Sequence, residues 1–501
     1  MAFVVDVPES VTLSDYEAVA HLAHHVEELE ETARGVREKL SGRTIWMVNS
    51  TAQGGGVAEM LPTMITLLRD LGFPTEWAVI ESSEPAFFDL TKQIHNMIHG
   101  EGSPDLPSGA RELFERENAS NVSFLAERMN PGDILIVHDP QPVALAGMIR
   151  EHLDITAMWR CHIGLDLENA STRAAWDFLA PFLDAYDHGV FSTTEYVPET
   201  FTQRASVITP AIDPLGDKNR ELHLHKVVGI LTNSALVSSP SPLVPPPYDN
   251  VVNRLQGDGS FRPANMWDNI GLLSRPIITQ VSRWDRLKGW RPLMDAFVEL
   301  KRRFANGHDG EQAWAYRRRL DLVRLVLAGP DPASIQDDPE GRQVIEDLHD
   351  AYLSLSPEMQ DDIAVVTLPM SSRSENALIV NALQRASTIV VQNSLREGFG
   401  LTVTEAMWKR IPILTNSRAC GPRHQVRDGV DGCLVSNPED PDELASMMSA
   451  MLGEHGNRDQ WGLSAQRRVH SEYLVFNQVS SWLRLLGRLL QGIGDDKIPA
   501  R

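Results

Sequence analysis

Cysteine is scarce in this chain: Cys161, Cys420 and Cys433 are all there is among 501 residues, odd in number and without a CxxC or Cys/His spacing. A zinc module or a disulfide framework is not expected from that usage, which fits reduced thiols in a cytoplasmic protein. No stretch approaches the ~20 uninterrupted apolar residues that span a bilayer, so no membrane association is expected. The start, MAFVVDVPES, has no basic stretch ahead of an apolar one, so no secretory leader is expected either. Positive charge is also in deficit, with 46 Lys+Arg against 68 Asp+Glu and a net charge of −22. Such a field disfavours nucleic acid and anionic membranes as partners. Any phosphate ligand must be held by a local set of donors, so particular arginines and lysines become informative.

The length points to two domains of roughly 200 to 250 residues. After a helical stretch over 12–40, short apolar runs at 44–50, 75–80, 133–139, 156–163, 188–193 and 205–213 alternate with helix-like segments. A second series follows at 276–284, 322–330, 363–369, 387–394, 411–417 and 432–436. This alternation predicts α/β architecture: two doubly wound parallel sheets covered by helices, with a ligand cleft between the domains at the strand C-termini. Between 230 and 270 the sequence turns rich in Pro, Ser, Gly and Asn, which reads as a loop insertion near the hinge. The expected division is a first domain over 1–265, a second over 272–475, and a C-terminal helix and tail over 476–501.

Five constellations sit where strands should end. Gly54, Gly55 and Gly56 lie between a strand and a helix, where glycine lets backbone N–H groups approach a phosphate or sugar; a plain tight turn is the alternative. His138 and Asp139 in IVHDPQP, and Arg160, His162 and Asp166 in WRCHIGLD, leave two strands of one sheet; each could be structural alone, but together they suggest a polar pocket. Arg283 and Lys288 flank a turn in SRWDRLKGW and suit a pyrophosphate, unless they merely pair with Asp285. Glu397 and Glu405 bracket a Gly-Phe-Gly turn in NSLREGFGLTVTEA. Thr402 and Glu405 could form a capping box, and the two carboxylates could be a glycosidase-like pair.

Together these motifs resemble the retaining nucleotide-sugar glycosyltransferases of the GT-B fold, in the large family 4 group, over nearly the whole chain. HDPQP, WRCHIGLD and PAIDPLGDKNREL look most like the trehalose-forming glycosyltransferring synthases and the related retaining trehalose phosphorylases. The resemblance implies an acceptor-side first domain, a donor-binding second domain, and a C-terminal helix that crosses back to the first. It implies that Glu397 reads a donor-sugar hydroxyl and Glu405 the nucleotide ribose. Backbone N–H groups around Gly400, Leu401 and Thr402 would meet the pyrophosphate. Arg283 and Lys288 would neutralise the diphosphate, His162 would contact the donor sugar near its primary hydroxyl, and Asp139 and Arg160 would touch the sugars. Gly55 and Gly56 would lie against sugar or phosphate, and backbone near Leu368 would frame the base.

The activity so implied is retaining, metal-independent transfer of glucose from a nucleoside diphosphate donor to a sugar hydroxyl, with glucose as acceptor and trehalose as product, reversibly. No metal or other cofactor is expected, and no Asp-x-Asp stands at a first-domain strand end. A phosphorylase using inorganic phosphate and a non-catalytic nucleotide-sugar sensor are the alternatives. The partners expected are a nucleotide sugar and a small sugar; the base, the acceptor and a homodimeric state are left open.

Overall fold

The computed structural model describes residues 2–7, 11–52, 55–238, 248–265, 270–305, 314–332, 339–453 and 455–490. The chain forms two compact units, Met1–Asp213 with Tyr473–Arg501, and Pro214–Glu472.

The strands of the first unit are β1 (Phe3–Val4), β2 (Ile45–Asn49), β3 (Thr75–Val79), β4 (Ile134–His138), β5 (Thr156–Cys161), β6 (His188–Phe191) and β7 (Ala205–Val207), in the order β1-β3-β2-β4-β5-β6-β7. Only β1 runs antiparallel, against β3. β2 and β4 are buried along their whole length, as strands covered by helices on both faces must be. The chain winds from β2 outward to β3 and then returns to β4 on the other side of β2. The C-terminal ends of β2 and β4 therefore flank a topological switch point, where open α/β sheets bind ligands.

The second sheet contains β8 (Asn253–Leu255), β9 (Phe261–Pro263), β10 (Ile277–Val281), β11 (Arg324–Pro330), β12 (Ile363–Leu368), β13 (Ile389–Val391), β14 (Ile413–Asn416) and β15 (Gly432–Val435), in the order β15-β14-β13-β10-β11-β12-β8-β9. β10 to β15 pair in parallel, while β8 and β9 add an antiparallel edge beyond β12. Its winding reverses at β10 and β13. The loops after those two strands contain Arg283, Lys288 and Glu397.

The units divide after Asp213 rather than near residue 265. The reason is packing: Leu222, Val227, Ile230 and Leu231 share a core with Val326, Val366, Ile379 and Leu383, and β8 hydrogen-bonds to β12 through the pair Arg254 and Val366. The expected 230–270 insertion is thus partly regular structure of the second unit; residues 239–247 and 266–269 lie outside the described residues. The C-terminal helix Val475–Leu489 packs on Ala23–Leu40 of the first unit, so it does cross back. Its buried face carries Val475, Phe476, Val479, Trp482, Leu483, Leu485 and Leu486, each contributing about 1.5–3 kcal/mol of apolar burial. Residues 491–501, the expected tail, lie outside the described residues. The expected helix over 12–40 divides into Leu13–Glu17 and Ala23–Leu40. Among the described residues no helix is long and apolar enough to cross a membrane.

Candidate functional site

In the second unit the turn Arg286–Lys288 leaves β10 under tight restraint. Asp285 caps it by accepting from the N–H of Leu287 at 2.8 Å. Gln280, buried near the end of β10, donates to the Lys288 carbonyl at 2.8 Å and accepts from the Asn393 N–H at 2.9 Å. Asn393 in turn donates to the Gly289 carbonyl at 3.1 Å. Gly289 has φ +61°, and a Cβ there would stand 2.2 Å from the Asn393 carbonyl oxygen, so only glycine fits. The clamp brings Lys288 Nζ to 2.7 Å from Glu397 Oε2, although the two are 109 positions apart. Ser394 Oγ donates to the same oxygen at 3.0 Å and Gln392 Nε2 at 3.4 Å.

The lysine and glutamate side chains are 12% and 15% exposed. Burial by itself would raise the Glu397 carboxyl, but the Lys288 ammonium, its hydrogen bond, Ser394 and the Arg283 charge hold it below the ordinary glutamate range. Arg283 is largely exposed and lies 3.8 Å from Asp285. Asp285 thus caps the turn and pairs with Arg283, while Lys288 is delivered to the Glu397 carboxylate.

Gly400, at φ +85°, is the N-cap of the helix Leu401–Trp408, and no side chain caps it. The capping box between Thr402 and Glu405 does not form, because Gly400 occupies the cap position two residues earlier. Leu401 and Thr402 supply first-turn N–H groups. Gln425 braces this turn, donating to the Phe399 carbonyl at 2.5 Å and accepting from the Thr404 hydroxyl at 2.6 Å. Glu405 sits in the second turn of the helix, 5% exposed, with Lys218 Nζ 3.8 Å from Oε1. That pair is an ion pair beyond hydrogen-bond length, so the Glu405 carboxylate oxygens accept no hydrogen bond from the described residues. Lys218 is held by its neighbours: Asn381 donates to the carbonyls of Asp217 and Arg220, both at 2.9 Å, and Trp408 to that of Asn219 at 3.2 Å. Leu368 ends β12, buried, and its carbonyl accepts from the Asp331 N–H at 2.9 Å.

In the first unit the polar groups after β4 and β5 form one cluster. Asp139 takes φ +62° immediately before Pro140, a strained backbone of the kind found at functional sites. Its Oδ1 accepts from the His162 N–H at 2.8 Å, its N–H donates to the Arg160 carbonyl at 2.8 Å, and its carbonyl accepts from Trp159 Nε1 at 2.9 Å. Burial pushes Asp139 up to about 6, against the pull of that N–H and of the Arg160 cation. His138 Nδ1 lies 3.1 Å from His162 Nε2. Burial, reinforced by Arg160, lowers His138 to about 3 and His162 well below its ordinary value, so both rings are neutral. Arg160 is 1% exposed and, among the described residues, donates only from Nη2, to Ser192 Oγ at 3.3 Å. Asp166 is half-buried in the loop beyond His162. The helix Gly55–Asp70 begins at the glycine loop with Gly56 exposed; Gly54 lies outside the described residues.

Sequence reading missed Gln280, Asn393, Ser394, Gln425 and Lys218. All but Ser394, which reaches Glu397 three positions on, act through contacts made across the fold, and only the polarity of NS after a buried strand hinted at them.

Residues 47–198 match the family described as "Trehalose synthase, N-terminal domain", and residues 365–468 match "Glycosyl transferases group 1". Over 483 residues the chain is 32% identical to the trehalose synthase of Pyrococcus horikoshii, covering 95% of this chain and 96% of that one. The chain belongs to the trehalose synthase family. It is an enzyme of the glycosyltransferase class. A more distant relative of this family member is the trehalose phosphorylase of Pleurotus pulmonarius, 26% identical over 93% of this chain and 61% of that one. In fold the chain is similar to the crystal structure of an α,α-trehalose-phosphate synthase (UDP-forming) from Burkholderia vietnamiensis, with a TM-score of 0.61 and 16% identity over 90% of this chain and 98% of that one. The fold is GT-B.

Proposed function

We propose that this protein is a retaining, metal-independent glucosyltransferase that moves glucose from a nucleoside diphosphate glucose to free glucose, forming α,α-trehalose reversibly. Relatives named trehalose synthase and trehalose phosphorylase support glucose and trehalose as substrates. The observation that carries the reading is the Lys288 ammonium held 2.7 Å from Glu397, beside a helix start that no side chain caps. A diphosphate there would meet fixed cations, Lys288 and Arg283, and the N–H groups of Leu401 and Thr402 after Gly400. Glu397 would then be released to accept from a sugar hydroxyl. His162, Asp139 and Arg160 would read the sugars, Gly55 and Gly56 would approach sugar or phosphate, and Leu368 backbone would border the base.

In the proposed step the bond from the anomeric carbon to the diphosphate oxygen breaks and the acceptor oxygen bonds to that carbon on the same face. The acceptor proton passes to the departing diphosphate, so no protein nucleophile takes part. Glu405 favours the nucleotide over inorganic phosphate: its oxygens accept no hydrogen bond among the described residues and suit ribose hydroxyls, which phosphate lacks. The test is product formation from UDP-, ADP- and GDP-glucose over a panel of sugars in EDTA, with trehalose plus each nucleoside diphosphate or phosphate for the reverse direction. Trehalose of retained configuration is the expected product. Hydrolysis without nucleotide, or activity that needs added magnesium, would contradict it.

A further inference from the structure

We infer that His138 is a positioning residue that fixes the imidazole of His162 in one tautomer, with the proton on Nδ1, so that His162 meets its sugar ligand as a hydrogen-bond donor. This rests on the assignment of His162 to the sugar. The two rings lie within 13° of parallel and share one N···N contact of 3.1 Å, between His138 Nδ1 and His162 Nε2. With both rings neutral, a single proton occupies that contact, and its owner decides what each outer nitrogen carries.

Were His162 the donor, His138 would bear its proton on Nε2. That atom is fully buried with no partner among the described residues. An orphaned N–H in such a place is the costlier state, and the neighbouring Arg160 guanidinium, itself left with Nε and Nη1 unpartnered, would repel it. Were His138 the donor, its Nε2 would carry a bare lone pair in the field of that cation, which is the favourable state. The chain of consequences is short: His138 Nδ1–H donates to His162 Nε2, and the remaining proton of His162 must sit on Nδ1. His162 Nδ1 has no protein partner among the described residues, so it is the nitrogen left for a ligand. The main-chain N–H of His162 is meanwhile tied to Asp139, which fixes the ring's origin. Backbone and ring are therefore set by two different residues of the same strand end.

The experiment compares H138N, H138Q and H138F in the full-length protein. An asparagine amide nitrogen stands where Nδ1 stands and can still donate to His162; a glutamine amide reaches the Nε2 position, and phenylalanine offers no donor. The expectation is that H138F and H138Q lose on the order of 100-fold in kcat/KM, the scale of a misplaced reacting contact, while H138N recovers most of it. The ring nitrogen shifts of 15N-histidine-labelled wild type supply a second readout independent of turnover: His162 should show a protonated Nδ1 and a bare Nε2. Equal losses in three folded variants would overturn the proposal. So would a protonated Nε2 on His162 in the wild type, which decides the matter even where the variants do not fold. A wild type with the expected tautomer but no glucosyl transfer would leave the positioning intact and refute the functional assignment instead.

Discussion

Replacing Lys288 by methionine separates what the ammonium does for stability from what it does for turnover. At 2.7 Å from Glu397 and an effective dielectric of about 20, the gross attraction is roughly 6 kcal/mol. Desolvation of two largely buried ions offsets much of that, and the net loss on removing one partner at neutral pH is about 3 kcal/mol. The pH dependence carries the signature. In the wild type Glu397 titrates below its unfolded range, so its contribution is complete above that range and fades as pH falls through the folded value. In K288M burial is opposed only by Ser394, Gln392 and Arg283, the carboxyl rises above its unfolded value, and the residue costs stability as pH increases. Melting midpoints of variant and wild type should converge as pH falls through the lowered folded value of Glu397 and separate by roughly 6 to 12 °C at neutral pH. At neutral pH kcat/KM should also fall about 100-fold or more, the scale of a lost transition-state cation. A midpoint difference that stays constant with pH would refute the pairing as the source of stability, and an unchanged kcat/KM would refute Lys288 as a diphosphate ligand.

Asp139 offers the opposite sign. Its folded value of about 6 exceeds the ordinary 3.8, so it costs stability as pH rises between those values; D139N should remove up to about 3 kcal/mol of that loss, read as a flatter plot of melting midpoint against pH. Wild-type kcat/KM should rise through about pH 6 as the carboxylate that holds the His162 N–H ionises. G289A should lower stability by more than about 3 kcal/mol and displace Lys288, because the added Cβ meets a backbone oxygen at a left-handed φ; a midpoint within a degree of wild type would contradict the clamp. Arg410 holds φ +62° at the end of the helix Leu401–Trp408, and R410G should gain about 0.5–1 kcal/mol by relieving it, less the exposed bond from its Nε to Gln466, as a raised melting midpoint. E405Q should raise KM for the nucleoside diphosphate in trehalose cleavage about tenfold, the effect of roughly 1.4 kcal/mol in binding. An unchanged KM would remove the ribose from Glu405.

The twelve apolar runs read from the sequence all became strands; most of them, such as β2 and β4, are buried on both faces and so read as apolar throughout. The two- and three-residue strands β1, β8 and β9 carry no such pattern, and β8 and β9 belong to the second sheet only through pairing with β12. That pairing is also why the boundary expected at 265 lies at 213. In the candidate site the charged residues were legible, since arginine, lysine and glutamate at strand ends are few in an acidic chain. Their supports were not: Gln280 and Asn393 are ordinary polar residues, and they hold the Arg286–Lys288 turn together only because Asn393 reaches back more than a hundred positions to Gln280 and Gly289. The capping box that Thr402 and Glu405 could have formed does not form, because a left-handed glycine holds the N-cap, which sequence spacing cannot show.

The contrast between Glu397 and Glu405 follows from where each one's cation originates. Lys288 comes from the loop after β10, next to β13 in the sheet, so it reaches Glu397 at hydrogen-bond distance and occupies an oxygen that a ligand would need. A diphosphate entering there would compete with Glu397 for Lys288, and withdrawal of the lysine would relieve one of the donors on Oε2. Lys218 comes from the segment 217–220 that enters the second unit; at 3.8 Å it, together with the buried Lys409, balances Glu405 without a hydrogen bond to its oxygens from Lys218. On the proposed roles, Glu405 would be open to hydroxyl donors before any anion arrives, whereas Glu397 would lose a competing donor through the anion. Sugar recognition by Glu397 would in this way be coupled to the diphosphate by a single shared lysine, and recognition by Glu405 would not.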